Sequence, residues 1–147
     1  MAKIRKIILT TIVMMLLSSV GYGADWKHFY TDANKNEWFY DTQSIPREQD
    51  TIIVRTKKVL SDNEKAIFIK EYPDITNIKN ISYILDSWKI NCSKNIRKPV
   101  TSFWYNSEGY EVFCLYYFHS EFKQVVPDSF EVKLAEIVCQ EEVFSHD

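Results

Sequence analysis

The sequence has 147 residues, with 18 Lys and Arg against 20 Asp and Glu, and 15% of its residues are aromatic. That slightly acidic balance argues against a nucleic-acid role, which goes with a basic stripe, and against a polybasic patch for an anionic membrane. Aromatic richness with only 3 Gly and 4 Pro excludes a disordered chain and suits one packed domain.

The first residues read as an address. Lys3, Arg5 and Lys6 form a basic head, and Ile7 to Leu17 form an apolar run broken only by Thr10 and Thr11. Small residues follow at Ser18, Ser19, Gly21, Gly23 and Ala24. These are the three parts of a secretory signal, and the run stops well short of the roughly 20 residues a spanning helix needs. The expected division is a signal peptide over residues 1–23, cleaved after Gly23 or else Ala24, and a single domain over residues 24–147. No cysteine lies at the cleavage region, so lipid cannot be attached there. Removing the signal takes away three basic groups and no acidic one, so the acidic excess grows. The expected product is exported, periplasmic or secreted, with no transmembrane span and with surface attachment left open.

Trp26 to Thr31 is an aromatic-rich strand candidate ending in the polar turn Asp32-Ala33-Asn34-Lys35-Asn36. Glu37 to Asp41 alternates loosely, and Thr51 to Val59 is β-branched and long. Ile52, Val54 and Thr56 share one face of that strand, while Ile53, Arg55 and Lys57 share the other, as in a sheet wetted on one side. Ser61 and Glu64 make a capping box for a short helix that Pro73 would end near Tyr72; an extended arm is the alternative for residues 61–80. Ile81 to Cys92 returns to strand character, with Ile84, Trp88, Ile90 and Cys92 on one face. Val100 to Tyr105, the turn Asn106 to Gly109, and Tyr110 to Phe118 read as a hairpin. The last run is apolar on both faces, which predicts a central strand. Asp128 and Glu131 signal a final helix, with Phe130, Leu134, Ile137 and Val138 as its apolar stripe. Many strands followed by one terminal helix predict an α+β fold: an antiparallel sheet of about five or six strands with a C-terminal helix packed on one face.

Three cysteines remain after the signal, and export makes a disulfide the default. Loop entropy does not choose between pairings: about 4 kcal/mol for 92–139 stands against about 3.5 for 114–139. Position decides better. Cys92 ends a strand on the face that carries Trp88 and Ile90, and Cys139 lies near the end of the helix that would cover such a face. Cys114 lies within Val112-Phe113-Cys114-Leu115-Tyr116, where a free cysteine acts as a small buried hydrophobe. The expectation is a Cys92–Cys139 bond with Cys114 reduced. A zinc site wants closer ligand pairs, and His119, five residues beyond Cys114, falls on the opposite face of a continuous strand.

No phosphate loop, nucleophile elbow or His-Glu-x-x-His is present, so no catalytic, cofactor or metal residue is assigned and no cofactor is expected. Trp38-Phe39-Tyr40 and Phe103-Trp104-Tyr105 place rings on both faces of their strands. Most such rings go to the core, and those left over would form an exposed patch of the kind that marks interaction sites. Trp38, Tyr40, Phe103 and Tyr105 are the candidates for it.

Four pieces of the chain, taken in order, resemble the surface-adhesin protein E family of Gram-negative bacteria. They are Tyr40-Asp41-Thr42-Gln43-Ser44-Ile45; Trp88-Lys89-Ile90-Asn91-Cys92; Phe103 to Tyr105 with Gly109; and Pro127-Asp128-Ser129 with Cys139. The resemblance implies an antiparallel sheet whose C-terminal helix is tied to it through Cys92 and Cys139, and binding of host matrix or plasma proteins. Two departures stand beside it. The named adhesin is a lipoprotein, and its basic binding loop before the first cysteine strand is replaced here by Asn77-Ile78-Lys79-Asn80, with one Lys. The expected function is therefore an exported, non-enzymatic binding domain with a host or envelope protein partner. A periplasmic hydrolase or hydrolase inhibitor, and a structural envelope component, are the alternatives.

Overall fold

The computed structural model describes residues 23–43 and 47–140. The expected signal segment lies outside them apart from Gly23, as do residues 141–147. Among these residues eight strands, two α-helices and a short 3-10 turn at Ile78–Asn80 follow in order: β1 Trp26–Thr31, β2 Glu37–Asp41, β3 Arg47–Glu48, β4 Thr51–Val59, α1 Asp62–Glu71, β5 Ile81–Asn91, β6 Ile96–Asn106, β7 Glu111–Tyr116, β8 Lys123–Gln124 and α2 Phe130–Gln140. The main path is β1-β2-β4-β5-β6-β7, with β3 on β4 and β8 on β6, and every pairing is antiparallel. The expected fold class is thus found, C-terminal helix and disulfide included.

Alternation on β4 sets the two faces. Ile52, Val54 and Thr56 are buried, and they lie opposite Ile90, Trp88 and Asp86 of β5. Onto this face α2 lays Leu134, Ala135 and Val138, which join Tyr40, Ile52, Val54 and Ile90 in one cluster. Fully burying such a side chain contributes about 1.5–3 kcal/mol, so the cluster anchors the helix. Cys139, near the C-terminal end of α2, is bonded to Cys92 just beyond β5.

Within residues 61–80, Asp62–Glu71 forms the expected helix and Ile78–Asn80 a 3-10 turn, joined by turns over residues 72–77. Ser61 Oγ accepts from Glu64 N at 3.2 Å, which satisfies one of the free donors at a helix start. Only half of the capping box forms, because Asn36 Oδ1 already takes Ser61 N at 2.9 Å. The Glu64 carboxylate turns instead to Lys58 Nζ at 2.7 Å. Phe68 of α1 then packs with Leu60, Ile78, Ile81, Ile84 and Trp104, a second cluster on the same side of the sheet.

Two expectations need correction. The run 110–118 is not central: β7 ends the sheet path. It is apolar on both faces because Phe113 packs toward Trp104 while Tyr116 lies beside Phe103 on the other side. The final helix starts two residues later than its Asp128 signal. Asp128 has φ +56°, unlike the extended backbone of a cap, and Ser129 Oγ accepts from Glu131 N at 3.2 Å in its place.

Candidate functional site

Among the described residues both helices pack on one face, and no described helix covers the other. Strand register builds a row across that open face: His28, Phe39, Lys57, Leu85, Phe103 and Cys114 are successive cross-strand partners. One flanking row runs Val59, Tyr83, Tyr105, Glu111; the other runs Arg55, Ser87, Thr101, Tyr116. The Tyr83 and Tyr105 rings stack at 5.1 Å, with Lys57 Nζ 4.7 Å from the Tyr83 centroid. Phe103 meets Tyr116 edge-on at 5.7 Å, and Tyr116 stacks on Phe118 at 5.7 Å. Phe118 is 82% exposed and Tyr116 49%. The result is an apolar stripe flanked by Lys57, by Arg55 in its ion pair with Asp41, and by Glu111, in a chain whose net charge is negative. Net charge reports the sum of the charges and not where they sit, so composition gave no sign of it.

The four candidate patch residues do not come together. Trp38 and Tyr40 are only 6% and 1% exposed, so they belong to the covered face and cannot form a binding patch. Trp38 is held there by Phe130 of α2, stacked at 3.9 Å, and by its Nε1 donating to Asp32 Oδ2 at 3.1 Å. Phe103 and Tyr105 do lie on the open face, half-buried. The residue β2 contributes there is Phe39, between the two candidates. Tyr83, Leu85, Tyr116 and Phe118 were also missed, although the alternation of Tyr116 and Phe118 in the last apolar run is a signal for them.

The open face reaches the sheet edge at β7. Tyr117 N donates to Val100 O, which makes 100/117 a hydrogen-bonded pair. By the antiparallel alternation, Cys114 and Tyr116 then point their backbone groups away from β6. Cys114 is half-buried at this edge, a correction to its expected place in a central strand. Burial, together with the hydrogen bond and charge of Glu111, pushes its thiol above the ordinary value, which keeps it protonated and slow to react.

The covered face holds charge as well. Between the two helices, Thr56, Asp86 and Ser102 are cross-strand neighbours. Burial drives the Asp86 carboxyl up to about 6, against the opposing effects of a Ser102 hydrogen bond and the Lys58 charge. Ser102 is buried and its Oγ accepts from Trp104 Nε1 at 3.1 Å, which ties the hydroxyl to the core. The charge facing Asp86 is thus a lysine, not a second carboxylate. Among the described residues no group of three or more His, Cys, Asp and Glu could hold a metal ion, and no helix is long and apolar enough to cross a membrane.

Sequence comparison matches the chain to no family model and to no curated protein.

Proposed function

We propose that this chain is an exported, non-enzymatic binding domain of the kind its resemblance to surface-adhesin protein E implies, and that it engages a protein partner through the helix-free face of its sheet. One observation carries this reading: the aromatic stripe from Phe39 through Phe103 to Tyr116 and Phe118 is left uncovered by both helices. Exposed apolar stripes rimmed by charge are interaction surfaces in soluble proteins, and aromatic side chains dominate the energetics of such contacts. The Cys92–Cys139 bond is compatible with export, because disulfides persist in oxidising compartments.

The test is retention by immobilised protein from cell-envelope and host-matrix extracts, with the retained species identified by cross-linking. Y116S/F118S should lower retention at least tenfold while leaving the unfolding midpoint unchanged, since both rings are exposed. Retention that the double variant does not alter would remove this face as the contact, and a wild-type protein that retains no saturable partner would remove the binding reading itself.

A further inference from the structure

Lys89 of β5 and Lys98 of β6 are direct cross-strand partners, an arrangement that places two like charges side by side. Like charges directly opposite each other destabilise a sheet. Neither lysine forms an ion pair among the described residues, although this pair lies in a chain with an excess of carboxylates. Lys98 has only the Phe122 ring, 5.1 Å from its Nζ. Both lysines are partly buried. Among the described residues that ring is the one contact that offsets the like-charge pair, and a local rule broken with so little compensation points to a ligand.

Lys89 and Lys98 line a groove of about 220 Å³ together with Thr101, Tyr116, Tyr117 and Phe118. It lies where β7 leaves β6, continuous with the aromatic stripe. Opposed strand residues have Cβ atoms about 5 Å apart, close enough for one bidentate anion to accept a hydrogen bond from each lysine. Charge-assisted bonds of that kind are about twice as strong as neutral ones. Tyr116, whose backbone groups point outward at the β7 edge, lines the same groove, and a strand edge is a surface for peptide.

We infer that this groove receives an acidic side chain, Asp or Glu, of the protein partner, with its carboxylate between Lys89 and Lys98 and its flanking apolar residues against Tyr116 and Phe118. The inference rests on the protein-partner reading above and adds the chemistry of the partner's contact. Recognition of this kind raises the association rate and weakens with salt.

The probe is an acetylated tetraglutamate peptide titrated into the purified protein and followed by backbone amide shifts. Expected is saturable binding centred on Lys89, Lys98 and Tyr116, weakened at least tenfold in K89Q/K98Q and largely retained in K89R/K98R. K89Q/K98Q should fold at least as well as wild type, because it removes the like-charge contact. No saturable binding, or binding in K89Q/K98Q within twofold of wild type, overturns the inference. So does a sulfated oligosaccharide that saturates the groove where tetraglutamate does not. If tetraglutamate fails while Y116S/F118S-sensitive retention of a protein persists, the acidic contact falls and the protein-partner reading stands. If tetraglutamate binds while no protein is retained, that reading falls and takes with it the partner inferred here.

Discussion

Arg97 of β6 meets Glu131 in the first turn of α2 at 2.5 Å, with both side chains largely buried. Arg97 lies directly opposite Ile90, and its guanidinium sits over the Trp88 ring at 5.7 Å. Glu131 also takes Val126 N at 3.1 Å, so one carboxylate fixes both the helix start and the chain leading into it. Removing one partner of a buried pair leaves a charge without compensation and costs about 3–5 kcal/mol. Glu131→Gln should lower the urea stability by an amount in that range, and R97M/E131L should recover most of it. Additive losses in the double variant would show that the two residues act separately.

The other end of α2 is held covalently, across 47 residues of sequence. Cys139→Ser should cost about 2–5 kcal/mol, as in other small exported domains, and peptide mapping without reductant should link the Cys92 and Cys139 peptides. Cys114 should stay free. Because burial and Glu111 both raise its pKa, its alkylation at neutral pH should run slower than that of an unfolded control and speed up in Glu111→Gln. A mapped link from Cys114 to either other cysteine would break the assignment.

Much of this architecture is legible in the sequence wherever one residue type has one use. Ser61 caps, Pro73 follows the helix, and the β-branched alternation of β4 separates core from solvent. The unread parts have physical causes. β6 begins at Ile96 rather than Val100 because Pro99 argues against a strand; it is tolerated beside a register shift between Ser87 and Trp88, where proline is allowed. Period-two alternation groups Trp38 with Tyr40 and Phe103 with Tyr105, but it does not say which group faces inward. In β2 the outer pair turns in, whereas in β6 the middle residue, Trp104, does. That choice depends on which face the helices cover, which is a long-range property. The Lys89–Lys98 pair depends on register between two strands and is equally invisible in one strand alone.

Asp32 organises the β1–β2 turn. Its Oδ1 accepts from the backbone N–H of Asn34 and Asn36, both at 3.0 Å, and its Oδ2 from Asn36 Nδ2 at 2.9 Å and Trp38 Nε1 at 3.1 Å. Burial alone would raise this carboxyl, but the hydrogen bonds from Asn36 and Trp38, with the Lys58 charge, outweigh it and hold the pKa below its ordinary value. A depressed carboxyl adds stability that is present above its unfolded pKa, about 3.9, and is lost as pH falls through the folded value. Asp32→Asn should therefore be less stable at pH 7, by about 1 kcal/mol, because solvent around this turn screens the charge-assisted hydrogen bonds. The gap should narrow as pH drops below about 4. Urea midpoints at pH 7 and pH 3 test this, and a gap that does not change with pH would rule the carboxylate charge out as the cause.

Asp86 should behave in the opposite sense. Its folded pKa of about 6 lies above the unfolded value, so between the two the native state holds a proton that the unfolded chain has released. Stability contributed by this group is then complete at low pH and declines as pH rises from about 4 to about 6, by about 3 kcal/mol across the window. The groups that face it are Lys58 from β4, Ser102 from β6 and Tyr117, whose own pKa is raised by burial and by the Asp86 charge. Lys58 is already engaged by Glu64 at 2.7 Å, which leaves the Asp86 carboxylate incompletely compensated. Asp86→Asn keeps the shape and a hydrogen-bonding group for Ser102 but removes the titration. The variant should match wild type at pH 4, exceed it at pH 8, and show a flatter slope between them. Equal slopes for the two proteins would mean that Asp86 is ionised in the fold across that range, with Lys58 compensating it fully.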